Sequence, residues 1–507
     1  MENEQIYNGK WWLPENPDRK VSGRLTVSKE YGLHFELDEP FDGPNLAAFY
    51  RFPIILGVDV ANRKLITLEN CMLLISTFNP PVSEKSGEYY NFYNWRGSVT
   101  NAYIGVLLPT TDQLVFSKAD INLSSLQDWL GISPDIQIVR SSRKNKKPYF
   151  YKALFNYPEI AIKFNSGKIS VVPGLKNLSE YHAFGANAML RLELTENINL
   201  ETLLKTYIRP LQDFLSLATG KPNEIVELSL YSKFNPLNDL THPSLQVPTI
   251  SVLTGNNLIR QGVPTQQNSA RYDELFNASD ISGSIGSVLS NWLEFYNKYE
   301  NICNLYFNVV YSPDLYLENK FLNLAQALES FHRLRFGNQL NPECGAPSDI
   351  PTEEEYQAFV KKVLKECPKN EKDWWRNKLQ FINEPSLRWR LKSLIKDSEQ
   401  VMKPLLGDLQ SKDFVDKVVN TRNYLTHYSQ ESYYKSAKGY ELEVYTSILQ
   451  ILMQSCFLKE IGISPQIISY LFEKTGKYAR TQEQVGRLVE LNKKLPPTYK
   501  AQTKAAP

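Results

Sequence analysis

The sequence predicts an α+β multidomain chain, a β-rich N-terminal region followed by an all-α helical bundle. Three observations predict it. Apolar and polar residues alternate in several short runs before residue 232. After residue 285 apolar residues recur at helical steps of three and four. Between the two lies a stretch rich in Pro, Asn, Gly, Ser and Thr. The expected organisation is a β-rich domain over 1–232, an irregular connection over 233–284, a helical domain over 285–476 and a mobile C-terminal tail over 477–507.

The strands come first. In GLHFEL, Leu33, Phe35 and Leu37 fall on one face of a strand. EIAIKFNSGKISVV reads as a hairpin in which Ile160, Ile162 and Phe164 alternate, Asn165, Ser166 and Gly167 turn, and Ile169 and Val171 return. PIILGVDV and LITLENCMLLIST are apolar enough to be buried strands, and MLRLELT and EIVELSLYS add two more. Between these last two, LETLLKTYIRPLQDFLSLATG places Leu203, Leu204, Tyr207, Leu211, Phe214 and Leu215 on one side of a helix that stops at Gly220.

The helices follow. Val288, Trp292, Phe295, Tyr299, Ile302 and Tyr306 keep helical spacing, as do Leu317, Phe321, Leu324, Leu328 and Phe331. Thr352 and Glu355 form a capping box ahead of Tyr356, Phe359 and Val363. SLRWRLKSLIKD, VDKVVNTRNYLTH, YELEVYTSILQILMQSCFL and PQIISYLFEK complete a bundle.

The totals exclude several classes. Among 507 residues the formal charge is only +2, so no global charge demands a nucleic-acid or membrane partner, and no helix-turn-helix signature supports a DNA-binding regulator. The five cysteines include no C-x-x-C pair, which fits a reducing compartment better than a disulfide framework. The opening MENEQIYNGK lacks a signal-peptide pattern and no apolar run approaches ~18 residues, so a cytoplasmic protein without a membrane partner is expected. The histidines (His34, His182, His242, His332 and His427) are scattered, and neither a metal site nor a cofactor is expected.

One helix breaks its own pattern. In VDKVVNTRNYLTHYS, Val415, Val418 or Val419, and Leu425 share an apolar stripe, yet Arg422 sits within it. An arginine there must snorkel, pair or serve an interface. Asn423 and His427 are four residues apart and so neighbours on an adjacent face. A planar cation, an amide and an imidazole near one helix end suit a phosphate. The bland alternative is an arginine paired to a carboxylate elsewhere in the bundle, with His427 as a capping residue.

NTRNYLTHY, preceded by LYLENKFLNLAQALESFHR, resembles the HEPN ribonuclease family, and in particular the HEPN domain of ApeA-type anti-phage proteins. Arg422, Asn423 and His427 match that family's arginine, polar residue and histidine, and the upstream helix block supplies Glu329 and His332 as supporting residues. GKWWLPENPDRKVSGRLTVS resembles the β-rich N-terminal domain that accompanies this HEPN type. A related HEPN group carries R-x4-H-x-Y with a tyrosine that a partner enzyme modifies. Here Tyr428 follows His427 directly and Ser429 holds the later position, which weakens that scheme while leaving Tyr428 a supporting candidate.

The resemblance implies metal-independent RNA cleavage in abortive infection, with host RNA as substrate, transfer RNA the first guess, and an unknown phage-derived trigger sensed by the N-terminal domain. His427 would move protons, Arg422 would stabilise phosphorane charge and Asn423 would orient the phosphate. One imidazole cannot be base and acid at once, so a homodimer through the HEPN domain is expected to bring a second. The alternative is a non-catalytic HEPN module that binds nucleotide or RNA as a scaffold. Glu329 can instead pair with Arg333 one turn on, and His332 can be a polar core residue. Two patches could hold RNA. VRSSRKNKKPYFYK brings Arg143, Lys144, Lys146 and Lys147 beside aromatic residues. Lys361 to Gln400 brings Lys372 and Arg376 beside Trp374, Trp375 and Trp389, tryptophans that in a bundle are more often core.

Overall fold

The computed structural model describes residues 5–28, 32–41, 49–78, 92–132, 135–139, 150–154, 161–178, 183–234, 249–254, 274–339, 343, 351–380, 382–428 and 430–494. Its contacts divide the chain into two units, Met1–Leu215 with Asn223–Gln261, and Ser216–Pro222 with Gly262–Pro507. No helix among the described residues is long and apolar enough to cross a membrane.

In the first unit the strands are β1 (Gln5–Leu13), β2 (Asn16–Ser28), β3 (Gly32–Leu37), β4 (Tyr50–Asp59), β5 (Lys64–Phe78), β6 (Phe92–Ile104) and β7 (Val115–Leu123). They continue as β8 (Asp135–Val139), β9 (Phe150–Leu154), β10 (Ala161–Phe164), β11 (Gly167–Leu178), β12 (Ala183–Asn199), β13 (Ile225–Tyr231) and β14 (Ile250–Thr254). The order β6-β3-β2-β1-β4-β5 closes on itself, because β5 also pairs with β6. The result is a six-stranded antiparallel barrel, which leaves no free edge. Strand β6 serves two partners along one edge. Trp95–Ser98 pair with β3 and Asn101–Ile104 with β14. From β14 an open sheet continues through β13, β7, β12 and β11 to β10.

Side-chain alternation explains the barrel core. Leu33, Phe35 and Leu37 point inward as their spacing predicts, joined by Trp11, Leu25, Ile55, Leu68 and Trp95. Trp11 packs edge-on against Phe35 at 4.8 Å, and Tyr50 stacks on Trp95 at 4.6 Å. Gly57 on β4 lies directly under the Trp11 ring, and a Cβ there would overlap its carbon atoms. The predicted hairpin forms between β10 and β11 with Phe164 opposite Gly167.

The expected helix after β12 begins as α2 (Leu200–Leu203), passes through a π-turn at Leu204–Ile208 and continues as α3 (Arg209–Thr219). Pro210 lacks the N–H for a regular ladder, which accounts for the wider turn ahead of it. A short helix, α1 (Leu126–Leu130), follows β7.

Among its described residues the second unit has helices and turns but no strand. It comprises α4 (Ile285–Lys298), α5 (Glu300–Tyr311), α6 (Leu317–Phe336), α7 (Glu353–Glu366), α8 (Lys372–Leu379) and α9 (Leu387–Asp397). After these come α10 (Glu399–Leu406), α11 (Ser411–His427), α12 (Gln430–Lys435), α13 (Gly439–Glu460), α14 (Pro465–Glu473) and α15 (Gly476–Lys494). Residues 451–458 of α13 are buried without a break, so this helix is enclosed by its neighbours α4, α6, α9, α10, α14 and α15. Phe457 on α13 meets Trp292, Phe295, Tyr306 and Phe307 to form the aromatic centre. The capping box of Thr352 and Glu355 opens α7 as read from the sequence.

Three expectations differ from the structure. The connection over 233–284 contains β14, an integral strand of the sheet, and a 3-10 turn at Ala278–Ile281 capped by Asn277 and Asp280. The tail expected to be mobile from 477 is helical to Lys494, with Tyr478, Thr481, Val485 and Leu488 buried against the bundle. The apolar run from Val288 to Tyr306 is two helices, because Tyr299 leaves helical backbone at φ −124.

Gly57→Ala should lower the unfolding free energy by about 1–3 kcal/mol, the usual cost of overpacking, since the Trp11 ring cannot retreat inside a closed barrel. Urea unfolding of the full chain followed by tryptophan fluorescence measures it, and an unchanged transition would contradict the packing described.

Candidate functional site

Helix α11 packs on α6 and α9. Its Phe414, Val415 and Val418 are fully buried, Phe414 edge-on against Tyr445 of α13 at 5.1 Å. Thr421 continues that stripe. Its hydroxyl donates to Lys417 O (2.7 Å) and accepts from Ala437 N (2.8 Å), tying the segment after α12 back onto α11. Arg422 comes next. Its side chain is 35% exposed, and its Nη2 donates to Glu329 Oε2 on α6 at 3.1 Å. Its Nη1 donates to Asn423 Oδ1 at 3.3 Å. The helix thus aims one guanidinium between a carboxylate and an amide while leaving a third of it open to solvent.

Glu329 is shared. Its Oε1 lies 3.6 Å from Arg333 Nη2, one turn along, and Arg333 reaches Glu384 Oε2 at 3.0 Å. The expected Glu329–Arg333 pair therefore exists, but the closer partner of Glu329 is Arg422.

Behind this row, Arg390 of α9 has no solvent exposure. It donates to the carbonyls of Gly337 (2.8 Å) and Pro385 (3.0 Å) and to His332 Nδ1 (3.1 Å). A guanidinium only donates, so His332 accepts at Nδ1 and carries its proton on Nε2, which is buried and has no partner among the described residues. Burial and the Arg390 charge hold the His332 pKa down at about 4. His332 is consequently a neutral core residue that supports α6, as the bland reading of it anticipated.

His427 closes α11 and is exposed, without a hydrogen bond to any described residue. Tyr428 caps the helix in left-handed backbone (φ 53, ψ 33), with its N–H on Tyr424 O at 2.6 Å. The structure therefore joins Arg422, Asn423 and Glu329 directly, sets His332 one layer behind, and leaves His427 and Tyr428 at the open helix end. Ideal helix geometry separates Arg422 from His427 by about 140° around the axis and about 7.5 Å along it.

The basic patches fare differently. Arg143, Lys144, Lys146 and Lys147 lie outside the described residues, although the flanking strands β8 and β9 pair with each other. On α8, Lys372 is half-buried and Arg376 is exposed and ion-paired with Asp373. The expectation that the nearby tryptophans are core is corrected. Trp374 is 55% exposed with Lys378 over its ring, and Trp389 carries Lys392 at 4.5 Å. Short amphipathic helices such as α8 do not enclose so large a ring. The sequence reading passed over Arg390. The signal that exposed Arg422 was present there too, since Arg390 sits among Leu387, Leu391 and Leu394 on an apolar stripe.

The helical unit thus carries Arg422, Asn423 and His427 along the last turns of α11, with Glu329 against the arginine. A family model described as Apea-like HEPN matches residues 322–467. A second, described as ApeA N-terminal domain 1, matches residues 6–292, more than half of the chain. The chain belongs to the ApeA family, whose HEPN-bearing members are implied in anti-phage defence. No curated protein and no solved structure matches it.

The titration of His332 has a definite sign. Its folded pKa of about 4 lies below the ordinary 6.5, so the unfolded chain binds more protons between these values. The stability contributed is whole above pH 6.5 and is lost as pH falls toward 4. Relative to His332→Gln, which can still accept from Arg390, the natural chain should lose about 2 kcal/mol more between pH 7.5 and 4.5. Denaturant titrations of both chains at the two pH values measure the difference.

Proposed function

We propose that this protein is an anti-phage ribonuclease that cleaves host RNA without a metal ion, at a HEPN site completed by a second copy of the chain. The observation that carries the reading is the end of α11. There a solvent-accessible guanidinium, aimed by Glu329 and Asn423, shares one helix terminus with an exposed imidazole that has no hydrogen bond among the described residues. HEPN domains are typically ribonucleases and commonly dimerise.

The reaction needs few parts. The ribose 2′-OH attacks the adjacent phosphorus as one His427 takes its proton. The bond from phosphorus to the 5′-oxygen breaks, and a second His427 protonates that oxygen. A 2′,3′-cyclic phosphate and a 5′-OH result. Arg422 donates two N–H groups toward the equatorial oxygens as charge builds, and this differential contact lowers the barrier. Within one helix Arg422 and His427 diverge by about 140°. Two apposed copies of α11 remove that difficulty, because the arginine of one can face the histidine of the other across a two-fold axis. The exposed face around Arg422, Asn423 and His427 is then the cleft between copies.

Transfer RNA is the proposed substrate, because an anticodon loop offers unstacked bases and an accessible backbone. The N-terminal unit is the proposed sensor of a phage-derived signal, holding the nuclease harmless until infection. Lys372 and Arg376 remain proposed contacts for the RNA backbone.

Purified full-length protein should cleave a transfer-RNA pool equally well with and without EDTA, leaving cyclic-phosphate ends. His427→Ala and Arg422→Ala should each slow cleavage by about 10²–10⁴-fold, the usual contribution of a proton-transfer or charge-stabilising group. Binding without cleavage, unaltered by His427→Ala, would instead make the protein a non-catalytic HEPN scaffold. Glu329→Gln keeps a hydrogen-bond acceptor but removes the charge that aims Arg422. It should lower kcat by about tenfold with little change in KM, corresponding to a loss near 1.4 kcal/mol.

A further inference from the structure

Four tyrosines lie next to the motif. Tyr428 directly follows His427 and is 72% exposed. Tyr433 and Tyr434 on α12 are 42% and 55% exposed, and half-buried Tyr424 lies between Asn423 and the helix end. Their rings form a continuous row. Tyr424 meets Tyr428 at 5.6 Å and 72°, Tyr424 meets Tyr433 at 5.3 Å and 67°, and Tyr433 meets Tyr434 at 5.4 Å and 84°. Lys438 lies over the Tyr433 ring.

Tyr428, Tyr433 and Tyr434 stay well exposed despite these edge-to-face contacts, so ring surface remains open to an incoming partner. The backbone supplies a second, independent observation. Tyr428 adopts the left-handed conformation that glycine and asparagine take at low cost and bulky residues avoid. Apart from its edge contact with Tyr424 the ring stays largely exposed, which leaves it available to a partner from outside.

Resting on the reading of Arg422 and His427 as a phosphate-cleaving site, we propose that Tyr424, Tyr428, Tyr433 and Tyr434 are a stacking platform for unpaired nucleobases of the RNA strand. The strand is selected as single-stranded because only splayed bases can reach these faces. Continuity with His427 puts the platform one residue from the proton-transfer group. Lys438, over the Tyr433 ring, and Arg422, two residues before Tyr424, supply positive charge for the backbone. Stacking accepts any base, so the platform selects unpaired structure rather than sequence.

The probe is a fluorescent 12-nucleotide 2′-O-methyl RNA, single-stranded or annealed to its complement. It lacks the attacking hydroxyl, so binding is read without cleavage. Anisotropy with the full chain should show the single strand bound at least about tenfold more tightly than the duplex. Tyr428→Asn should weaken single-strand binding about tenfold or more without lowering the melting temperature, because asparagine suits the left-handed position. Tyr433→Ala with Tyr434→Ala should weaken it comparably, and Tyr428→Phe should stay within about twofold, since the ring and not the hydroxyl stacks. Equal affinity for single strand and duplex, or undiminished binding by Tyr428→Asn, overturns the proposal. So does a variant that changes only the sedimentation of the chain, which would assign the rings to contact between copies. If EDTA-resistant cleavage is absent while these binding differences hold, the nuclease reading fails and the platform stands. If cleavage depends on His427 while the tyrosine variants bind normally, the platform alone fails.

Discussion

Arg390 fixes the geometry on which the helical unit's site is built. A guanidinium removed from water is costly unless its donors are met; here Nε and Nη1 meet two carbonyls and an imidazole, while Nη2 has only the Glu384 carboxylate at 3.8 Å. Those partners come from different places: His332 within α6, Gly337 just beyond it, and Pro385 just before α9. The side chain therefore sets how α9 lies along the last turns of α6. Glu329 is one turn before His332 on that same helix, so its position relative to α11 follows from the same contact. Replacing Arg390 would leave a lone buried histidine and two carbonyls without donors.

From that buried cation a row of alternating charge runs outward through Glu384, Arg333 and Glu329 to Arg422. Arg390 is wholly buried, and the other members of the row are all partly exposed, Arg333 most of all. Each carboxylate sits between two cations, so neither is committed wholly to one. For Arg422 this means it is oriented without being fully neutralised, the condition that the proposed contact with a phosphate needs. A tight, exclusive, buried pair would have favoured the bland structural reading. Partial exposure and a shared carboxylate favour a group that keeps donors available.

Much of this was legible in the sequence. The inward faces of β3, the β10–β11 hairpin and the capping box at Thr352 follow from local periodicity and turn chemistry, and all three are present. Arg422 declared itself by sitting where Val415 and Val418 called for another apolar residue. What local patterns cannot carry is pairing between distant segments. Barrel closure depends on β5 meeting β6 while β1 meets β4. The strand β14 is five residues in a polar stretch and exists because β13 and β6 supply its hydrogen bonds. Helix α15 has a thin apolar stripe, Tyr478, Val485 and Leu488, and owes its order to docking on α10 and α13. The partner of Arg422 was missed for the same reason, since Glu329 lies 93 residues away and its i,i+4 neighbour offered a plausible local answer.

Strand β6 has a consequence for the alignment of the first unit. One edge of it is divided between two ladders, the barrel's through Trp95–Ser98 and the open sheet's through Asn101–Ile104. Neither ladder can slide along β6 independently of the strand itself, and a slip of one residue would turn Trp95 out of the barrel and reverse the facing of Ala102 and Ile104 together. The barrel and the sheet consequently share a single frame of reference. Whatever seats the one strand correctly seats both structures at once.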